Sequence, residues 1–290
     1  MNNKKLGCAF GLLAGDALGT TFEFKSREYC EKNPITTIIG KGPFCLKPGD
    51  FTDDGIMFLC SLESLLEKSG FDENDHMEKF LKWFNHGYWS PTGFCFDIGG
   101  QTVSALTTYA ARGIFPFEST SAGNGSLMRI SSIPLFYSNL DDIIRITKIA
   151  SEITHNNKSC TSACIIFNIL LYGFIYDVSI NIDDYIEYVT CNKIKNILVN
   201  KTYLTLPKDK ISSSGYVVDT FEAVLWSFYS TDNYRDCLIK AVHLGGDADT
   251  VGAIVGALAG AKYGFSDIPV EWSSIIWNKD KIVDMVRRCN

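Results

Sequence analysis

The sequence lacks the marks of several protein classes. Its 27 lysine and arginine residues form no cluster longer than the pair Arg287 and Arg288, and the 290-residue chain has a formal net charge of −6. Proteins that bind nucleic acid or an anionic membrane usually carry a basic patch, so neither partner is expected. The longest apolar stretch, VGAIVGALAGA at 251–261, is well short of the ~20 residues that span a bilayer. No transmembrane segment is expected.

Closely paired cysteines are also absent. The ten cysteines are spread from Cys8 to Cys289 without a CxxC pair, and many lie in apolar runs such as IMFLC and TSACIIF. This pattern is typical of reduced, buried thiols rather than of a disulfide framework or a zinc site. The N-terminal run MNNKKLGCAFGLLAG continues into GDALG without an ordinary signal-peptide cleavage site. We therefore expect a cytoplasmic protein.

Strand-like alternation of polar and apolar residues is scarce, and helical spacing dominates. The pattern predicts an all-α fold with long loops at 25–51, 86–100 and 112–126, where most Gly, Pro and Asn signals lie. No linker divides the chain, so residues 1–290 are expected to form a single compact domain, and a monomer is favoured. The predicted helical segments are 8–18, 56–66, 77–84, 102–111, 143–153, 160–175, 185–189, 220–226, 238–244 and 251–263.

Glycine recurs at every fourth position in two of the predicted helices. Residues four apart share one helix face, so each ladder forms a flat strip that another helix can approach closely. Asp16 and Glu23 lie beside the first ladder, and Asp247 and Asp249 beside the second. If the two strips pack against each other, these carboxylates converge. The ladders consist of Gly7, Gly11, Gly15 and Gly19, and of Gly252, Gly256 and Gly260.

The motif FTDDG places Thr52, Asp53 and Asp54 at the start of an apolar helix. One interpretation is helix capping, since a threonine or aspartate at the N-terminus satisfies free N–H groups and complements the helix dipole. The other interpretation is a cation site, because adjacent carboxylates held out of water either raise their pKa or bind a positive charge.

The motif GGDADT supplies a second acidic group, Asp247, Asp249 and Thr250. Alternate residues in a turn can direct their oxygens to one side, as in sites for hard cations. The glutamate that ends an EF-hand loop is missing from both motifs, since Ser64 and Leu258 occupy its position. The two motifs therefore have to share their ions. Four aspartates and two threonines suffice for two divalent cations, and oxygen ligands favour Mg²⁺ or Mn²⁺ over zinc.

A series of motifs, in order along the chain, resembles the ADP-ribosylglycohydrolase family. The resemblance implies a compact all-α fold with a dinuclear Mg²⁺ or Mn²⁺ centre that removes ADP-ribose from a modified protein and releases ADP-ribose as product. It covers about residues 5 to 265, and the segment 177–210 matches weakly. The motifs are GLLAGDALGTTFEF, FTDDG, FDIGGQT, GNGSLMRISSIPL, THNN, SGYVVDTFEAVLWSF and GGDADTVGAIVGALAGAKYG.

The resemblance also implies a role for individual residues. Glu23 and Asp97 match acidic residues of the family's catalytic site, Asp97 being the first choice for general base. Without the resemblance, each of these features has an ordinary interpretation. Asp97 is equally a loop residue or a helix cap, and GNG is a turn. His155 is a surface histidine, and Tyr216 is a half-buried aromatic residue. The implied metal ligands are Thr52, Asp53, Asp54, Asp247, Asp249 and Thr250. The implied contacts to ADP-ribose are Gly123, Asn124, Gly125, Ser126, His155 and Tyr216.

The linkage that is cleaved is predicted from FDIGGQT, which resembles the branch of the family acting on ADP-ribosylarginine. Gly100 and Gln101 depart from the commoner DIGNTT form of this motif, so serine-linked or other ADP-ribose conjugates stay open. Two rival hypotheses belong to other classes. One is a non-catalytic ADP-ribose binder. The other is a haloacid-dehalogenase-type phosphatase, since DADT fits a DxDxT motif. The order of motifs opposes the phosphatase, because DADT should follow an N-terminal strand and only 40 residues follow Thr250, so only a parallel sheet would favour it.

Overall fold

The structure, a computed structural model, describes residues 2–289 and confirms the all-α prediction. Within these residues the chain forms fifteen α-helices, no β-strand and five short 3₁₀-helices. The α-helices are α1 Asn3–Gly19, α2 Arg27–Lys32, α3 Asp53–Lys68, α4 Glu73–His86, α5 Gly100–Arg112, α6 Ser132–Phe136, α7 Leu140–Glu152, α8 Lys158–Tyr176, α9 Asn192–Asn200, α10 Thr202–Thr205, α11 Val217–Tyr229, α12 Tyr234–Val242, α13 Ala248–Tyr263, α14 Val270–Ser273 and α15 Lys279–Arg287. The 3₁₀-helices are Thr20–Phe22, Leu127–Arg129, Ile182–Tyr188, Lys208–Lys210 and Phe265–Asp267.

All but one of the predicted helical segments coincide with α-helices. The exception is 185–189, which was wrong, because it lies at the end of the 3₁₀-helix Ile182–Tyr188. No residue of that 3₁₀-helix is buried, so no packed face favours a regular α-helix there. The predicted loop 25–51 contains α2, which Ser26 caps by accepting a hydrogen bond from the Tyr29 N–H. Such short helices have too few apolar residues to show a helical period.

The two glycine ladders face each other, which is the condition under which the sequence predicts that the carboxylates converge. Helix α1 packs along α13 so closely that a Cβ added at Gly11 would lie 2.1 Å from the Gly256 carbonyl oxygen. A Cβ added at Gly256 would lie 2.0 Å from the Gly11 carbonyl oxygen. Backbone therefore touches backbone along this interface, and a side chain larger than hydrogen would force the helices apart. The close packing fixes the end of α1 beside the start of α13.

Helix α8 forms much of the central core. With 19 residues and a mean hydropathy of 1.6, it is long and apolar enough to cross a membrane, the one such helix among residues 2–289. However, 78% of its apolar window is buried inside the fold. Its apolar character is thus accounted for by its packing against α7, α11 and α13.

The DADT motif follows a loop and begins α13, and no strand precedes it anywhere in the range 2–246. The phosphatase hypothesis required a β-strand before this motif, with the aspartate at the edge of a parallel sheet. The fold overturns that hypothesis.

All ten cysteines have free thiols, as expected.

Candidate metal centre

A cavity of about 1490 Å³ opens at the end of the α1–α13 pair. Its wall comes from residues 23–27, 97–102, 121, 123–125, 128, 209–215, 244, 246–247 and 249–250, with Phe44, Asp53 and His155 between them. Carboxylates from four separate parts of the chain meet on its floor. They reach one place because Asp16 lies in the last turn of α1 and Glu23 follows the 3₁₀-helix Thr20–Phe22, while α3 and α13 both begin there. Asp97 comes from the loop before α5.

Two groups of three carboxylates lie at this floor, and two of their members, Asp16 and Asp54, are fully buried behind the residues that line the cavity. Asp16, Asp54 and Asp249 form the first group, in which one oxygen of each residue lies within 4.8 Å of the others. Glu23, Asp247 and Asp249 form the second group at the same spacing. Asp249 belongs to both groups. The arrangement therefore offers two adjacent sites that share one carboxylate, as in a bridged pair of cations.

Asp16 and Glu23 also hold the two helix N-termini in place. The Asp16 carboxylate accepts hydrogen bonds from the backbone N–H groups of Thr52 and Gly55, at 2.9 Å for the shortest contact to each. Glu23 Oε2 accepts from the Ala248 N–H at 2.8 Å. Each helix is thus capped by a carboxylate from elsewhere in the chain, Asp16 of α1 or Glu23 after the 3₁₀-helix Thr20–Phe22, rather than by its own N-cap side chain.

Two oxygens of the cluster have no partner. Asp54 Oδ1 and Asp249 Oδ2 are buried and make no hydrogen bond within the described structure. An isolated buried carboxylate oxygen is costly, and no lysine or arginine forms an ion pair with either residue among residues 2–289. Divalent cations would satisfy both oxygens and offset the mutual repulsion. The donor set, oxygen throughout, fits Mg²⁺ or Mn²⁺.

The electrostatics of the cluster lead to the same conclusion. Burial, and then the Asp249 charge, raise the pKa of the Glu23 carboxyl far above its usual range. Burial followed by the charge of Asp16 does the same to the pKa of Asp54. Asp247 has its pKa raised to about 7 by burial and by Asp249, although the Asn124 side chain partly opposes the shift. Without a cation, the raised pKa values favour the protonated forms of Glu23 and Asp54 at neutral pH, whereas Asp247 titrates close to neutral pH.

Metal-free protein is therefore expected to lose stability as pH rises. An unfolded aspartate has a pKa near 4, whereas the folded-state pKa is about 7 for Asp247 and about 10 for Asp97. Between these limits the folded state binds more protons than the unfolded state, so rising pH favours unfolding. Thermal melts in chelator from about pH 5 to 9, repeated with Mn²⁺, measure this. We expect Mn²⁺ to stabilise the protein most at high pH, where protons no longer compete for the carboxylates. A melting temperature in chelator that climbs steadily over this range would contradict the prediction.

The structure brings together the predicted ligands of the two motifs. Thr52 Oγ1 donates to Asp54 Oδ2 at 3.0 Å, and Thr250 Oγ1 approaches the same oxygen at 3.5 Å. Asp53 is buried and lines the cavity, but it belongs to neither group of three. Its place in the first group is taken by Asp16, which the ligand prediction had not included.

Asp97 lies in the cavity wall just before α5. Its backbone is in the left-handed region with φ of 60°, which is uncommon for residues other than glycine and frequent at functional sites. Burial, and then Asp249, raise its pKa to about 10. The helix-cap interpretation of Asp97 is wrong, because Gly99 occupies the N-cap position of α5.

The loop 121–126 lies beside the cluster but differs in part from the expected phosphate-binding loop. The Gly123 N–H already donates to Gln101 Oε1, and the Asn124 N–H donates to the Gly215 carbonyl oxygen. The side-chain amide of Asn124 donates to Asp247 Oδ2 at 2.7 Å, so Asn124 positions a carboxylate of the cluster. Ser126 does not line the cavity, because its hydroxyl is fully buried and accepts from Ser151.

His155 is buried in the cavity wall, so its interpretation as a surface histidine is wrong. Its exposed fraction is 2%, and burial lowers its pKa to about 3, which keeps the ring neutral. Nδ1 bonds the Thr154 hydroxyl at 2.8 Å. A Cβ added at Gly125 would lie 2.9 Å from His155 Cε1, so glycine is needed for the loop to lie against this ring.

Tyr216 is half-buried, and its backbone pairs with Gly123 at the edge of the cavity. The Lys193 ammonium lies 5.1 Å from the centre of its ring. Lys193 belongs to the segment 177–210, to which the sequence assigned no role, and Asp209 and Lys210 of the same segment line the cavity. No local pattern in the sequence indicates these contacts, because they join residues that are distant along the chain.

The comparisons with known proteins agree on one family. The family model described as ADP-ribosylglycohydrolase matches residues 1–290. The ADP-ribosylarginine hydrolase Tri1 of Serratia proteamaculans is 34% identical over 291 residues, which cover 99% of this chain and 78% of that protein. The ADP-ribosyl-[dinitrogen reductase] glycohydrolase of Rhodospirillum rubrum is 33% identical over 282 residues, covering 94% and 90%. A solved structure described as an ADP-ribosylglycohydrolase-related protein complex superposes with a TM-score of 0.84 at 29% identity, covering 99% of this chain and 97% of that one.

Proposed function

This chain belongs to the ADP-ribosylglycohydrolase family, and from that premise we propose that it hydrolyses the bond between ADP-ribose and modified arginine side chains of proteins. The observation that carries the proposal is the pair of carboxylate groups sharing Asp249 on the floor of a cavity of about 1490 Å³. A cavity of this size is large enough for a nucleotide-sized ligand.

The proposed cofactor is a pair of divalent cations, Mg²⁺ or Mn²⁺. Asp54 and Asp249 would be the principal ligands, since each has a buried oxygen without a partner. When bound, the cations supply positive charge that orients the hydroxyl groups of the distal ribose. The remaining ligands would come from Asp16, Glu23, Thr52, Asp53, Asp247 and Thr250.

Asp97 is the proposed general base. It lines the cavity together with Glu23, Asp53 and Asp249. With the cations bound, their positive charge would lower the pKa of Asp97 and keep its carboxyl ionised. The carboxylate takes a proton from a water molecule, whose oxygen attacks the anomeric carbon. The carbon–nitrogen bond breaks, its electron pair goes to the guanidine nitrogen, and that nitrogen receives the proton. By analogy with other glycosidases, nearby carboxylates stabilise the oxocarbenium-like transition state.

The rest of ADP-ribose is proposed to follow the wall past Gly123 and Gly125 to Tyr216. Neutral His155 lies under this loop and keeps it in place. The diphosphate would compete with the Gln101 side chain for the Gly123 N–H. The flat ring of Tyr216 is suited to stack on adenine.

We also propose that the protein works as a monomer in the cytoplasm. The ten free thiols, most of them buried, suit a reducing compartment. The formal net charge of −6 supports a protein substrate rather than a nucleic acid.

The test of this function is release of ADP-ribose from an arginine-modified protein and, in parallel, from a serine-modified peptide. Each reaction is run with Mg²⁺ or Mn²⁺ and then with chelator. We expect metal-dependent release from arginine. Release from serine alone would keep the metal centre and reject the arginine assignment, and binding of ADP-ribose without any release would favour a non-catalytic binder.

A further inference from the structure

Four phenylalanines form a continuous group of rings at the mouth of the cavity, which we call the aromatic collar. The ring centres of Phe24 and Phe44 are 6.4 Å apart, and those of Phe44 and Phe96 are 5.2 Å apart. Phe94 extends the group, with its ring centre 6.0 Å from that of Phe96. Phe24 and Phe44 line the cavity itself. The collar is therefore continuous with the proposed catalytic site.

The collar is attached directly to the acidic floor. Phe24 follows Glu23 in the chain, and Phe96 precedes Asp97. Phe44 contacts both rings and so joins the two segments that carry the proposed catalytic carboxylates. The rings of Phe24 and Phe44 therefore line the cavity beside these carboxylates.

The exposure of the collar is not explained by packing. Phe24 is 69% exposed and Phe94 is 61% exposed. Phe24 also has a φ of 61°, a strained backbone conformation for a bulky residue, which the hydrogen bond from its N–H to the Gly246 carbonyl oxygen maintains. Exposed aromatic surface beside a binding cavity is typical of a site for a partner.

The chemistry of the collar selects the kind of partner. Aromatic faces bind cations, guanidinium groups in particular. The whole chain has a formal net charge of −6, which favours a cationic partner over an anionic one. A glycosylated arginine keeps a delocalised positive charge, whereas the oxygen of a serine linkage is neutral.

We infer that the aromatic collar binds the guanidinium group of the modified arginine and thereby favours arginine over neutral linkages. This inference rests on the proposed function of the same site. It assigns to Phe24 and Phe44 a role in substrate specificity, with Phe94 and Phe96 extending the surface toward the protein that carries the arginine. Free ADP-ribose lacks the guanidinium group, so the collar does not contribute to its affinity.

The test measures binding separately from turnover. An Asp97→Asn background slows hydrolysis, and calorimetry then gives the affinity for free ADP-ribose and for two peptides of one sequence, modified on arginine or on serine. We expect the arginine peptide to bind about 10-fold more tightly than the serine peptide. The double variant Phe24→Leu, Phe44→Leu keeps apolar surface but removes the rings, and it should abolish that difference without changing the affinity for ADP-ribose.

Two controls separate the ring effect from folding. The Phe24→Tyr, Phe44→Tyr variant keeps both aromatic faces and should keep the preference for arginine. Phe117, which is 82% exposed outside the collar, provides a matched Phe117→Leu control that should change nothing. An arginine preference that survives the leucine double variant, or that is missing from the parent, overturns the inference. Wild-type turnover is assayed separately. A protein that prefers the arginine peptide but never cleaves it contradicts the proposed function, while the inference that the collar binds the guanidinium group is supported.

Discussion

The Asp249→Asn variant is expected to lose about 10³-fold or more of its rate of ADP-ribose release, which corresponds to ~4 kcal/mol of lost transition-state stabilisation. Asp249 is the one carboxylate common to both groups of three, and its Oδ2 is buried without a partner. An amide has one oxygen in place of two and carries no charge, so it cannot bridge two cations. Steady-state kinetics at saturating Mn²⁺, together with Mn²⁺ titration, measure both losses.

The same substitution should raise the stability of the metal-free protein. The Asp249 charge contributes to the raised pKa of Asp16, Glu23 and Asp97. Removing it relieves repulsion that no cation offsets in chelator. Lower activity with higher metal-free stability cannot result from misfolding. As a control, Asp142→Asn alters an exposed aspartate that pairs with Arg145 and should change neither property. An Asp249→Asn variant that keeps full activity would contradict the shared-ligand role.

The Asp97→Asn variant is expected to lower kcat by about 10²- to 10⁴-fold, the usual contribution of a general base. The affinity for ADP-ribose and for Mn²⁺ should change little, because Asp97 belongs to neither carboxylate group. Asparagine tolerates the left-handed backbone conformation that Asp97 adopts, so the substitution adds no strain. Single-turnover kinetics with an arginine-modified protein separate the chemical step from binding.

The Glu23→Gln variant tests whether Asp97 or Glu23 is the general base. Glu23 accepts a hydrogen bond from the Ala248 N–H and lies in the second carboxylate group, so its loss should weaken Mn²⁺ binding as well as turnover. Full turnover by Asp97→Asn, together with complete loss in Glu23→Gln, would transfer the role of general base to Glu23.

Much of this architecture could be predicted from the sequence because it depends on local spacing. Glycine at every fourth position defines a helix face, and the close packing of Gly11 on Gly256 follows from two such faces. The acidic residues lie at the ends of these helices, so their convergence followed from the same pattern. The family resemblance added Asp97 and His155, whose ordinary sequence interpretations were a loop residue or cap and a surface residue.

The sequence could not predict contacts between residues far apart in the chain. Asp16 lies beside Asp54 because its carboxylate accepts hydrogen bonds from the N–H and the hydroxyl of Thr52, at the start of α3. Nothing around Asp16 in the sequence identifies Thr52 or Asp54 as its neighbours. The Asn124 amide reaches Asp247 across 123 positions. The aromatic collar combines residues from three loops whose mutual approach depends on the whole fold. Loop phenylalanines have no periodicity that indicates where they point.

The most direct measurement is anomalous diffraction from crystals of the protein grown with Mn²⁺. The account predicts two manganese peaks on the floor of the cavity, one beside Asp16 and Asp54 and the other beside Glu23 and Asp247, with Asp249 between them. A single peak would reject the paired centre. No peak at Asp249, in crystals of protein that releases ADP-ribose from arginine, would contradict the account at its centre.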